Sequence, residues 1–289
     1  RRVLKREKDG IMYKIVIDSC GELSPEMKAS GYFATASLSI DVDDYHVIDD
    51  ETFNQKEFLE RVAASPNCPK SSCPSPDTYM EKYHCDADHV YAVTLSAELS
   101  GSYNSAVLGV ELYKEEYGEK KIHVFNSKSA SIGETLIAMK IAECEDKGMT
   151  FGEVIDTVET YIEDQHTYFL LESLEALRKN GRLTGLKAMV ATALSIKPVM
   201  GATPEGTICQ LGQARGMKKA LVKMADEIAA HEEHAEDKIL AISHCNCPAR
   251  AEELKKLLLT RLQPKDVIIL DTAGISSLYA SDGGVIAVI

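Results

Sequence analysis

Three short apolar runs, each closed by a polar turn and followed by a helical pattern, constrain this 289-residue chain more than any other feature. Tyr13-Lys-Ile-Val-Ile17 runs into Asp18-Ser19-Cys20-Gly21. Ser24-Pro25-Glu26 then has the chemistry of a helix start, a capping hydroxyl with Pro at the first helical position. His89-Val-Tyr-Ala-Val-Thr-Leu95 and Ile122-His-Val-Phe125 repeat the arrangement, with Ser-rich turns and helices predicted from about Tyr103 and about Ser131. Strand, turn and helix in succession make βαβ units and hence a parallel sheet. Ligands of such sheets collect in the crevice beyond the carboxyl ends of the strands. The residues to watch are therefore the turn residues Asp18, Ser19, Ser96, Ser100, Asn126 and Ser127.

The rest of the chain fills in around these units. Residues 34–40 alternate like a strand, residues 43–49 read as an exposed edge ribbon, and Thr52 is placed to cap an amphipathic helix through about Ala63. The second half reads differently. A helix over 151–164 precedes a strand at Thr167–Leu171, a helix through Leu177 stopping near Gly181, and a small apolar helix over 186–194. Ile196–Met200 and Thr207–Leu211 then flank a hairpin near Pro204-Glu205-Gly206. A helix from Met217 to Ala230, strand 238–243, helix 248–262, strand 266–270 and a final strand 284–289 complete the chain. The predicted class is α/β in two domains. Residues 13–160 form an N-terminal parallel-sheet α/β/α domain, and residues 161–289 a C-terminal α+β domain with a mixed or antiparallel sheet. Residues 1–12, with Arg1, Arg2, Lys5, Arg6 and Lys8, read as a linker or upstream remnant.

Composition excludes several functions. An apolar fraction of 45% is too high for a disordered chain, and a net charge of -13 argues against nucleic acid as a partner. No apolar run approaches the roughly 20 residues of a membrane span, and no apolar h-region follows the basic N-terminus. Eight cysteines without an export signal point to reduced thiols in the cytoplasm. Their spacings, five between Cys68 and Cys73 and two between Cys245 and Cys247, give no paired zinc motif, so no metal is expected. The chain also lacks a Walker loop, a Gly-x-Gly-x-x-Gly, a Gly-x-Ser-x-Gly elbow and a His-Glu-x-x-His.

Hydroxyl-rich loops are what remain. Ser71-Ser72-Cys73-Pro74-Ser75-Pro76 precedes a helix over about Asp77–Tyr83. Leu95-Ser96-Ala97-Glu98-Leu99-Ser100-Gly101-Ser102-Tyr103 joins a strand to a helix. Such turns suit the oxygens of a carboxylate or phosphate, and they equally suit ordinary helix capping by Ser72, Ser75 or Ser100. Arg182 follows the helix stop at Lys179-Asn180-Gly181, where a cation faces the helix dipole favourably. Arg215, Lys218 and Lys219 stand at a helix start, against the dipole, which favours contact with an anion or an acidic partner.

Taken in order, these segments resemble the DegV family of bacterial fatty-acid-binding proteins. The carriers are Ile17-Asp18-Ser19, the loops at 71–76 and 95–103, Asn126-Ser127-Lys128-Ser129-Ala130-Ser131, Gly181-Arg182-Leu183 and Ile196-Lys197-Pro198. The resemblance implies a two-domain α/β protein that holds one long-chain fatty acid in an apolar tunnel. It further implies a non-enzymatic carrier without cofactor, which presents the carboxylate to a separate ATP-dependent fatty acid kinase. Carried over, the carboxylate ligands are Ser71, with Ser72 beside it, Ser96 and Ser100, and Arg182 lies near the head-group entrance. Arg215 is a second cation for the head group or partner. Ala97 stands where the family has a further loop serine. The His of the family's C-terminal loop is missing from Ser276-Ser277-Leu278-Tyr279-Ala280-Ser281-Asp282-Gly283-Gly284, where Tyr279 or Ser277 is the substitute. Ala188, Ala191 and Ala193, beside Met189, Leu194 and Ile196, are expected to leave room for the acyl chain. The alternative function is a serine-dependent hydrolase or acyl transferase, with Ser96 or Ser100 as nucleophile and His244 as base.

Overall fold

A computed structural model describes residues 11–183 and 195–289. The basic stretch before Ile11, Thr184 and Gly185, and the expected apolar helix at 186–194 with its small residues lie outside the described residues. In the first half, β1 (Tyr13–Asp18), α1 (Pro25–Ala29), β2 (Phe33–Ala36), β3 (Ser39–Val42), β4 (Tyr45–Ile48), α2 (Gln55–Ala64) and β5 (Lys70–Ser72) are followed by α3 (Pro76–Tyr83), β6 (His89–Thr94), α4 (Ser102–Tyr117), β7 (Lys121–Asn126), α5 (Ile132–Asp146) and α6 (Phe151–Asp164). The second half contains β8 (Thr167–Leu170), α7 (Glu175–Lys179), β9 (Ile196–Ala202), β10 (Ile208–Arg215), α8 (Met217–His231), β11 (Ile239–His244), α9 (Pro248–Leu259), β12 (Asp266–Asp271), α10 (Gly274–Ala280) and β13 (Val285–Val288).

Strands β2-β1-β6-β7 form the expected parallel sheet. Its residues separate by the two-residue period of a strand. Ile15, Ile17, Tyr91, Val93 and Phe125 pack under α5 and α6, whereas Val16, Val90, Ala92 and Val124 pack under α3 and α4. Burial on both faces explains why these runs are continuously apolar. The second sheet, ordered β10-β9-β8-β13-β11-β12, is mixed, with only β11 and β12 parallel. One of its faces, through Tyr168, Leu170, Leu240, Ile242, Val285 and Ala287, buries against α8 and α9. The other face meets the first domain: Ala241 and Val288 pack on Ile132 and Leu136 of α5.

A third, antiparallel sheet, β4-β3-β5, differs from the expected single strand over 34–40. The chain leaves the parallel sheet after Ala36 because the Ser19 hydroxyl takes the Leu38 N–H at 2.9 Å. Ala36, Leu38, Ile40 and Val42 stay buried, so the alternation runs unbroken across two sheets. Helix α2 is capped by Asn54, whose side chain accepts from Glu57 N–H. Thr52, the expected cap, instead bonds the Asp50 carboxylate.

Candidate functional site

Between the two larger sheets lies a cavity with about 860 Å³ of atom-free space, counted out to the solvent at its mouth. It sits at the carboxyl ends of the parallel strands, as predicted. Cys20 after β1, Leu95, Leu99 and Ser100 after β6, and Lys128 to Ser131 after β7 form one wall. The opposite wall is the face of the mixed sheet not covered by α8, with Thr167, Phe169, Gly201 and Ile286. Apolar side chains from Leu38, Leu95, Leu99, Leu171, Leu177, Ile208 and Ile275 line most of what remains. No Asp or Glu is among the lining residues, in a chain of net charge -13, whereas Arg182 and Lys128 are.

The polar groups gather at one part of this wall. Ser71 and Tyr279 hydroxyls bond each other at 2.6 Å, and the Arg182 guanidinium lies 5.6 Å from the centre of the Tyr279 ring. Arg182 Nε donates to Leu99 O at 3.1 Å and its Nη1 donates to Asn180 O, so it braces the loop that carries Ser100. Among the described residues Arg182 has no carboxylate partner. Within the Ser71–Tyr279 pair one O–H is consumed and one is left to donate onward. Ser100 Oγ accepts from Ser102 N–H at 3.2 Å, which leaves its own proton free to donate. Burial pushes the Tyr279 phenol above its ordinary range, so it remains a neutral donor.

How does the fold place Tyr279, which lies far from Ser71 in sequence? Helix α10 carries it, and the first domain holds α10. Asp49 accepts from Gly274 N–H and Ile275 N–H, both at 2.8 Å. Ser276 Oγ donates to Cys20 O at 2.9 Å, and Gln55 Nε2 donates to Thr272 and Ser277. Burial raises Asp49 to about 6, and it raises Glu22, which accepts from Ser131 Oγ, to about 7.

The turn residues serve mainly to knit loops. Asp18 accepts from Cys20 N–H, Leu95 N–H and Ser102 Oγ, while Asn126 Oδ1 accepts from Ala97 N–H and Lys128 N–H. Of the expected site residues, Ser71, Ser100, Arg182 and Tyr279 share the cavity wall. Ser72, Ser96 and Arg215 do not. Ser72 pairs with Ser39 at an exposed strand end. Ser96 is fully buried and donates to Gly206 O at 2.7 Å, latching its loop to the β9–β10 hairpin. Arg215 ends β10 seven residues beyond Ile208, roughly 23 Å from the cavity end at about 3.3 Å per residue.

The hydrolase constellation is not assembled. His244 is buried at the end of β11 rather than facing solvent. Its Nδ1 accepts from Cys247 N–H at 3.2 Å and its Nε2 lies 2.9 Å from Asp271, so neither ring nitrogen serves Ser96 or Ser100. Cys20, Lys128, Thr167 and Ser276 line the cavity without having been singled out. Lys128 belonged to a segment that carried the family resemblance, and Cys20 to the polar turn after the first predicted strand; those were their only signals.

A family model described as an uncharacterised protein of the DegV family matches residues 12–289. A DegV domain-containing protein of Streptococcus pneumoniae is 32% identical over 276 residues, covering 95% of this chain and 97% of that protein. Among solved structures, a DegV family protein of Ruminococcus gnavus with vaccenic acid superposes with a TM-score of 0.94 at 62% identity, covering 96% of this chain and 99% of that one. The Fatty Acid Kinase (Fak) B3 protein of Streptococcus pneumoniae, loaded with linoleic acid, gives 0.86 at 31% identity, with the same coverage. No described helix is long and apolar enough to cross a membrane.

Proposed function

The chain belongs to the DegV family, and from that premise we propose that it binds one long-chain fatty acid in the cavity between its sheets and presents the carboxylate to a separate fatty acid kinase for acyl phosphate formation. The observation that carries this reading is the cavity's composition. It is apolar, free of carboxylates, and furnished with hydroxyl donors and two cations. Such a wall repels no anionic head and solvates no polar chain, so an anionic amphiphile is the ligand class that fits it. Burying roughly 14 methylenes at about 0.8 kcal/mol each contributes on the order of 11 kcal/mol before ordering costs. Few polar contacts then suffice to set direction. Ser71, Ser100, Tyr279 and Arg182 receive the carboxylate, and the neutral Tyr279 hydroxyl takes the part played elsewhere in the family by a histidine.

Relatives support the reading by what they hold: vaccenic acid in the Ruminococcus protein, linoleic acid in the pneumococcal kinase subunit, and heptadecanoic acid in a Eubacterium eligens protein. The hydrolase alternative has no nucleophile–base pair among the described residues to favour it. Titrating delipidated protein with a long-chain fatty acid and with the primary alcohol of equal length tests the head-group assignment. Tighter binding of the acid is expected. Equal affinity for both would remove the polar wall from recognition.

A further inference from the structure

Behind the cavity wall, two carboxylates and a thiol converge where no cation meets them. Asp18 ends β1, Cys20 occupies the following turn, and Glu134 lies in the first turn of α5. One donor atom from each lies within 4.8 Å of the other two, and all three residues are buried. Among the described residues, no Lys, Arg or His forms an ion pair with Asp18 or Glu134. Among the described residues no N–H or hydroxyl donor reaches either oxygen of the wholly buried Glu134; its side chain meets the Asp18 carboxylate, a contact that is a hydrogen bond only while one of the two acids keeps a proton. A buried polar group without such a donor is rare and needs an explanation. Thr94 Oγ1 is another, one residue past the Val93 that pairs with Ile17 beside Asp18.

Asp18 is held rigidly, and close packing positions Glu134 against it. The Asp18 carboxylate is fixed by Cys20 N–H at 3.1 Å, Leu95 N–H at 2.9 Å and Ser102 Oγ at 2.7 Å. The missing side chain at Gly21 lets α5 lean in: a Cβ there would sit 2.9 Å from that of Glu134. Fixed ligands with an outer shell of donors are what a cation site requires.

We propose that Asp18, Cys20 and Glu134 form a site for one divalent cation of the zinc class. A sulfur beside two carboxylate oxygens disfavours magnesium and calcium, which prefer all-oxygen shells, and suits zinc. Three protein donors leave a fourth tetrahedral position for a further ligand. On coordination the Cys20 S–H bond breaks as the S–metal bond forms, and its proton leaves to solvent together with the one shared by Asp18 and Glu134. Two carboxylates and one thiolate then carry three negative charges against two positive ones. The N-termini of α4 and α5, which start at Ser102 and Ile132, offset the remaining charge. Cys20 is itself part of the cavity wall, which gives the ion a path inward.

The test uses the full chain, stripped with a chelator, re-exposed to zinc alone and analysed by elemental mass spectrometry. One zinc per chain is expected, with at least roughly tenfold weaker binding in Glu134→Gln and in Cys20→Ser. Cobalt(II) in place of zinc should show a sulfur-to-metal charge-transfer band in the near ultraviolet. That band should be absent in Cys20→Ser and kept in Cys68→Ser and Cys247→Ser. Failure of the unsubstituted chain to retain zinc overturns the proposal, as does zinc held equally by both site variants. The cluster would then be a carboxyl–carboxylate pair sharing a proton. The wild-type result decides even where a variant fails to fold, and neither outcome bears on fatty-acid binding.

Discussion

Four serines in two loops had looked interchangeable in sequence, yet their hydroxyls meet different partners. Ser71 and Ser100 keep a donor facing the cavity, so replacing either with Ala should cost about 1.5–3 kcal/mol of ligand binding, as for a hydrogen bond to a charged group. Fatty-acid affinity should fall by roughly 10- to 150-fold with little change in melting temperature. Ser96→Ala should do the reverse. It strips the donor from the buried Gly206 carbonyl, costs about 1–3 kcal/mol of stability, and leaves affinity nearly unchanged once the protein is folded. Thermal melts and fatty-acid titrations on the three variants separate the roles. An Ser96→Ala protein with native stability and weakened binding would reverse the assignment. Local sequence could not make this distinction, because Ser96 is captured by a hairpin from the other domain, 110 residues away. Tyr279 became legible only through the family's missing histidine.

At the scale of elements, apolar periodicity carried most of the fold, since buried strands and amphipathic helices write their environment into the residue order. The misses occur where partners are distant. Helix α10 has no side-chain cap of its own; its first N–H groups are satisfied by Asp49 from the first domain. Strand β5 is only three residues long, so its edge pairing with β3 leaves no period to read. At α2 two capping residues competed. Asn54→Ala should lower stability by about 1 kcal/mol, whereas Thr52→Ala should change it by a few tenths. Equal effects in urea unfolding would contradict the cap assignment. The hairpin offers a sharper case. Gly206 has φ +94°, and an added Cβ would sit 2.3 Å from Ser96 Oγ. Gly206→Ala should therefore destabilise by more than about 1 kcal/mol and loosen the cavity wall.

Across the whole molecule, the chain's last residue is tied to the start of the second sheet. His166 and Ile289 exchange backbone hydrogen bonds, and His166 Nδ1 lies 2.7 Å from the Glu232 carboxylate, which also accepts from Tyr168 Oη and Lys238 Nζ. That bond holds the His166 imidazole above its ordinary value of about 6.5. A group whose folded pKa is raised stabilises fully below its unfolded pKa, and the contribution fades as pH rises through the folded value. The stability gap between the native chain and His166→Gln should thus be largest near pH 6 and shrink by pH 9 in urea titrations. A gap that stays constant with pH would rule out the charged pair.

On the proposed function, one acyl chain fills the cavity between the two domains. Native mass spectrometry of protein incubated with a long-chain fatty acid tests it most directly. The predicted result is a single mass increment equal to one fatty acid per chain, released on denaturation and recovered intact by lipid extraction. A protein that keeps its bare mass after incubation, under conditions where it remains folded, would show that the cavity takes no fatty acid.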